Sequence, residues 1–125
     1  NNLKKHGLYD EVTNIKDLHI LEPQGYLEFL HLMDKARLII TDSGGIQEET
    51  TYLQVPCLTF RDTTERPITT EIGTNMLMAD LNPDTVTQAM DHILEGRTKK
   101  GEIPNLWDGK AAERIADILI KALTS

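Results

Sequence analysis

The segment Thr41-Asp42-Ser43-Gly44-Gly45-Ile46-Gln47-Glu48-Glu49 holds the residues best suited to chemistry in this sequence. A β-rich run ends, two glycines follow, and a helical pattern begins. Glycines at 44 and 45 remove the Cβ atoms that would hold a ligand away from the backbone. The first N–H groups of a helix have no partner within it, and with the macrodipole they make an anion site suited to phosphate. Ser43 adds a hydroxyl donor. Glu49 stands four residues after Gly45, and helical side chains lean toward the N-terminus. Its carboxylate can therefore lie beside the phosphates and accept bonds from ribose hydroxyls. A tight connection with an ordinary N-cap would use the same residue types, so the turn alone leaves both readings open. Neither a GxxxxGK P-loop nor a GxGxxG fingerprint occurs.

Short apolar runs alternate with helical patterns, the signature of βαβ units and a parallel sheet. The pattern predicts a strand over Leu18 to Leu21, ended by Glu22-Pro23, and a helix from Tyr26 to Ala36. Arg37 to Thr41 reads as a buried central strand, followed by a helix from about Ile46 to Leu53. Val55 to Phe60 is another strand, with Pro56 near its start. Arg61 to Ile72 reads as a loop or short helix, and Asn75 to Ala79 as a fourth strand. Asn82-Pro83 supplies an N-cap and a proline at the first helical position. Val86, Ala89, Met90, Ile93 and Leu94 then form one apolar stripe, ended by Gly96. Asp108 or Gly109 opens a last helix with Ile115, Leu119 and Ala122 facing inward. Leu8, Val12 and Ile15 read as the tail of an element whose beginning is missing. Ligands of such sheets bind at the carboxyl ends of the strands. Here that means Pro23 to Gly25, Asp42 to Gly45, and Arg61 to Pro67.

The 125 residues suit a single domain, residues 1–125, with an α/β, Rossmann-like parallel sheet flanked by helices. A net charge of −7 disfavours nucleic acid and anionic membrane surfaces as partners. The lone Cys57 cannot form an internal disulfide, and its place in a strand makes it a buried, inert thiol. No apolar stretch reaches membrane-spanning length and no signal peptide opens the chain, so the cytoplasm is expected. The start at Asn1 reads as the edge of a fragment. His6, His19, His31 and His92 are scattered and suit no metal site, and His19 reads as structural. Arg97, Lys99 and Lys100 read as solvated surface. Trp107 either caps the core or packs against a missing domain.

The segment from Thr41 to Glu49 resembles the signature of the non-hydrolysing UDP-N-acetylglucosamine 2-epimerases. Glu22-Pro23-Gln24-Gly25-Tyr26-Leu27-Glu28-Phe29 resembles the family's segment one helix earlier. Arg61-Asp62-Thr63-Thr64-Glu65-Arg66-Pro67 resembles its arginine-bearing loop. Gly73-Thr74-Asn75 and Trp107-Asp108-Gly109-Lys110-Ala111-Ala112 agree as well. The resemblance implies a GT-B architecture, two Rossmann-like domains with the sugar nucleotide between them. This chain would be the C-terminal, UDP-binding one, with the N-terminal domain absent.

By the same resemblance Gln24 lies at the uracil, with mainly backbone contacts, and Phe29 packs near the base. Ser43, Gly44 and Gly45 bind the diphosphate, Glu49 holds the ribose hydroxyls, and Arg66 lies near the phosphates and the domain interface. Two plainer readings stay open: an ion pair of Arg66 with Glu65 or Glu71, and core packing for Phe29. The implied reaction is inversion at C2 of the sugar. UDP leaves to give a 2-acetamidoglucal and then adds back. The carboxylates that move protons in the family lie in the N-terminal domain, so no catalytic residue is expected here and the chain alone is expected to be inactive. No metal or cofactor is implied. The complete protein is expected to be a homodimer whose product feeds surface polysaccharides. Two segments depart from the family's pattern: Ile68-Thr69-Thr70, where many members carry an acidic residue, and Thr50-Thr51-Tyr52, where smaller residues are common. A hydrolysing epimerase, a GT-B glycosyltransferase and a non-catalytic nucleotide-binding module are the alternatives.

Overall fold

The computed structural model describes residues 2–124, and the chain divides into two compact units, Asn1–Leu30 and His31–Ser125. The first holds two short helices, α1 (Asn2–Lys5) and α2 (Tyr9–Thr13). They are separated by Gly7 in the left-handed region, at φ +69°. The Lys4 ammonium sits 4.7 Å from the centroid of the Tyr9 ring. Val12 lies in α2, with Leu8 just before it and Ile15 just after it.

The strand expected over Leu18 to Leu21 does not form. A strand exists only where a partner takes up its backbone N–H and C=O groups. Leu18, Ile20 and Leu21 are exposed, and their stretch has no ladder partner among the described residues. Four strands are expected, and three form among the described residues. Helix α3 (Tyr26–Lys35) follows, opened by a bond from the Phe29 N–H to the Gly25 carbonyl (2.9 Å). It carries the chain into the second unit.

There the order is β1 (Ile39–Thr41), α4 (Gly44–Leu53), β2 (Cys57–Thr59), α5 (Pro67–Glu71), β3 (Asn75–Leu77), α6 (Pro83–Leu94) and α7 (Ala111–Thr124). The sheet runs β1-β2-β3, parallel throughout. Ile39 stands opposite Cys57, and Cys57 opposite Asn75. Parallel neighbours require crossover connections, which α4 and α5 provide. Strand β2 is central and buried at every residue. Burial pushes the Cys57 thiol pKa up, as suits the expected inert core cysteine.

Met33, Val55, Cys57, Leu58 and Ile93 make the apolar core. Beside them Gln47, Thr50, Thr51, Thr59, Thr69, Thr74 and Asn75 are buried polar residues. Both segments that depart from the family pattern fall here: Thr50, Thr51 and Thr69 are fully buried. Helix α6 starts as its sequence predicts, with the Asn82 side chain accepting from the Asp84 N–H (2.9 Å) and proline at its first position. Helix α7 departs from expectation. Ile115, Leu119 and Ala122 do not face inward; no residue of α7 is buried, and Ile118 and Leu123 are exposed as well. An apolar stripe becomes a core face only where another element covers it. Among the described residues, no helix is long and apolar enough to cross a membrane.

Candidate functional site

The carboxyl end of β1 leads directly into the turn. Ser43 is the N-cap of α4, in extended backbone at φ −85° and ψ 132°. Its N–H donates to the Thr41 hydroxyl (3.0 Å). Its own hydroxyl makes no capping bond to the helix, so it stays available to a ligand. This is the point at which the structure departs from an ordinary N-cap, where that oxygen would be engaged. The helix begins at Gly44, two residues earlier than the sequence pattern suggests. Both glycines therefore lie within its first turn, where backbone amides have no helical acceptor. A Cβ on Gly45 would meet nothing within 4 Å, whereas one on Gly44 would run into the Glu65 carboxylate. Glu49 follows on the same helix, part-buried.

The second component is the loop after β2. Arg66 pairs through Nε with Glu48 Oε2 at 3.2 Å, and not with Glu65 or Glu71. Both partners are near half-exposed, so the pair adds little stability; its effect is to tie the arginine to α4. Arg61 pairs with Glu65 at 3.4 Å.

Beneath this surface lies a cluster of residues that the sequence reading passed over. The fully buried Gln47 accepts through Oε1 from the Thr64 hydroxyl (2.6 Å) and from Asn75 Nδ2 (3.0 Å). The Asn75 Nδ2 group also donates to the Thr69 hydroxyl (3.2 Å), and Asn75 Oδ1 accepts from the Thr59 hydroxyl (2.6 Å). The Arg66 backbone is held at both ends: its N–H donates to Thr64 Oγ1 (3.0 Å), and its C=O accepts from Thr69 Oγ1 (2.8 Å). Gln47 Nε2 is buried with no partner among the described residues. The available signal was an uncharged amide in the first turns of a helix, followed by threonines on both sides of Arg66.

Ser43, Gly44, Gly45 and Glu49 thus lie at the start and in the first two turns of α4, with Arg66 bound to the same helix through Glu48. Gln24 and Phe29 belong to the first unit. Gln24 is exposed and donates to the Glu22 carbonyl (2.7 Å), and Phe29 is 39% exposed. A separate groove of about 300 Å³, lined by Gln54, Thr74, Thr98 and Lys99 among others, lies by the residues that precede β2 and β3, at the opposite end of the strands.

The family model described as UDP-N-acetylglucosamine 2-epimerase matches residues 1–120. The UDP-N-acetylglucosamine 2-epimerase of Methanocaldococcus jannaschii is 48% identical over 118 residues, covering 94% of this chain and 31% of that protein. The Neisseria meningitidis epimerase is 37% identical over 118 residues, covering 91% of this chain and 32% of that protein. Among solved structures, the M. jannaschii enzyme in complex with UDP-GlcNAc and UDP superposes with a TM-score of 0.79 at 45% identity, over 95% of this chain and 32% of that one. The N. meningitidis enzyme bound to UDP-GlcNAc gives 0.72 at 31% identity, over 97% and 34%. The chain therefore spans about a third of the length of the relatives it matches. The parallel sheet with flanking helices is the α/β arrangement of the GT-B type that these neighbours share. On the match from residue 1 to 120, joined to the Ser-Gly-Gly turn and the arginine loop, the chain belongs to the UDP-N-acetylglucosamine 2-epimerase family.

Proposed function

We propose that this chain is the UDP-binding part of an enzyme that interconverts UDP-N-acetylglucosamine and UDP-N-acetylmannosamine. The observation that carries the reading is the unengaged Ser43 hydroxyl at the glycine-led start of α4, with Arg66 tied to the same helix. Support comes from the relative solved with UDP-GlcNAc and UDP. In this reading Ser43 and the amides of Gly44 and Gly45 hold the diphosphate, and Arg66 adds positive charge beside it. Glu49 accepts from the ribose hydroxyls. The roles of Gln24 and Phe29 toward the base rest on the sequence resemblance.

The chemistry asks a definite task of these residues. A base removes the C2 proton, the C1–O bond to UDP breaks, and its electron pair leaves with the diphosphate. The sugar becomes a 2-acetamidoglucal. UDP then adds back to C1 while C2 regains a proton on the opposite face. Negative charge on the diphosphate grows as the C1–O bond breaks, and fixed amide dipoles and Arg66 stabilise it without reorganising. The proton-transferring groups belong to the part of the polypeptide outside this chain. The complete protein is read as a cytoplasmic homodimer supplying surface-polysaccharide synthesis.

The test is to incubate the complete polypeptide with UDP-N-acetylglucosamine in deuterated water and follow C2 by NMR. The expected result is deuterium at C2 and growth of UDP-N-acetylmannosamine. Free N-acetylmannosamine in its place would assign a hydrolysing epimerase. No exchange at C2 by folded protein would overturn the reading. The 125-residue chain alone is expected to show no turnover.

A further inference from the structure

We propose that Gln47 is a positioning residue that holds Arg66 at the diphosphate, acting through Thr64. The inference rests on the UDP-binding reading above.

The path is short and continuous. Gln47 sits one turn below the glycine-led start of α4 and is fully buried. Its Oε1 accepts the Thr64 hydroxyl at 2.6 Å. The same hydroxyl oxygen accepts the Arg66 N–H at 3.0 Å. Thr64 has one hydroxyl proton, and accepting from Arg66 leaves that proton for Gln47. Asn75 Nδ2, a donor whose own Oδ1 is taken by Thr59, fixes the Gln47 amide with Oε1 toward the cluster. The orientation of the loop is therefore set from β2 and β3, through Asn75 and Gln47, to the backbone of Arg66.

The carbonyl end of Gln47 gathers three side chains: Thr64 at 2.6 Å, Asn75 at 3.0 Å and the Thr69 hydroxyl at 3.5 Å. The guanidinium of Arg66 makes only a half-exposed pair with Glu48. A pair at that exposure directs the guanidinium toward α4 but adds little rigidity. The loop that carries it is fixed at the backbone, which Thr64 and Thr69 grip.

The experiment is a double-mutant cycle on the complete polypeptide, reading UDP affinity by calorimetry beside the melting temperature. The variants are Gln47→Ala, Thr64→Val, Arg66→Ala and the two doubles with Arg66→Ala. Gln47→Ala and Thr64→Val are each expected to weaken UDP by roughly fivefold to tenfold, and neither to weaken it further once Arg66 is alanine. Losses that add in the doubles would overturn the proposal, as would a lowered melting temperature with UDP affinity unchanged in both single variants. If Gln47→Ala does not fold, Thr64→Val, which removes only the relay hydroxyl, decides the matter. If Arg66→Ala itself binds UDP like the parent protein, the assignment of Arg66 to the phosphates fails, and the positioning role fails with it. A loss in Arg66→Ala with none in Gln47→Ala or Thr64→Val overturns the positioning role alone.

Discussion

The Glu65 carboxylate lies against the Cα of Gly44, in the space that a Cβ at position 44 would fill. A negative charge thus stands beside the amides proposed to hold the diphosphate, offset by Arg61 at 3.4 Å. Glu65→Gln is expected to tighten UDP binding by about twofold to fivefold at low salt, because the group is half-exposed and its field is screened. The gain should fade above roughly 0.5 M salt. Calorimetric titrations at two ionic strengths check this, and weaker binding by the variant would contradict it.

Gly44→Ala separates ligand space from folding space. The atom that a new Cβ would meet is the end of a flexible side chain, so Glu65 can swing aside and the melting temperature should hardly change. The Cβ would still stand where a phosphate approaches the backbone, and UDP affinity is expected to fall by at least roughly tenfold, the loss of one good charge-assisted hydrogen bond. A variant that unfolds, or one that binds UDP normally, would go against this account.

Ser43 and Glu49 are assigned to different parts of one ligand, and pyrophosphate tells them apart because it has no ribose. Glu49→Ala should weaken UDP and leave pyrophosphate unaffected. Ser43→Ala should weaken both by about fivefold to tenfold, in line with one hydrogen bond of about 1–1.5 kcal/mol. Competition titrations with the two ligands give the comparison. Equal losses of pyrophosphate in both variants would remove Glu49 from the ribose.

Much of the second unit was legible in the sequence. Glycines after a β-rich run, Asn82-Pro83 ahead of an apolar stripe, and Cys57 within a buried run each express a local preference that the fold keeps. The misses share a cause. Leu18 to Leu21 has the residues of a strand, and α7 has the stripe of a core-facing helix. Strand pairing and helix burial both need a partner that no local pattern encodes. The Gln47 cluster was illegible for another reason. Its members are spread from Gln47 to Asn75, and only the βαβ crossovers bring them together. The plainer reading of Arg66 is an ion pair with Glu65 or Glu71, whereas its partner is Glu48 on α4.

Asp108 offers a test of the start of α7. Its carboxyl accepts from Arg114 (2.9 Å) and from the Lys110 N–H (3.0 Å). The Arg114 bond, then the Lys110 bond, hold its pKa down to about 2. A depressed carboxylate stabilises the fold above its unfolded value of about 4, and that contribution is lost as pH falls toward and through the folded value. The first turn of α7 is therefore expected to loosen between about pH 4 and pH 2. A carboxyl NMR titration should place the Asp108 midpoint well below the ordinary range, and Arg114→Ala should return it upward. An ordinary midpoint in the parent chain would refute the pairing.

The most direct test of the central claim is a calorimetric titration of this chain and of the complete polypeptide with UDP, each beside its Ser43→Ala, Glu49→Ala double variant. The account predicts saturable binding of one UDP by the complete protein that the double variant loses while keeping its melting transition. Unchanged UDP affinity in a folded double variant would contradict it and move the nucleotide away from the Ser-Gly-Gly turn.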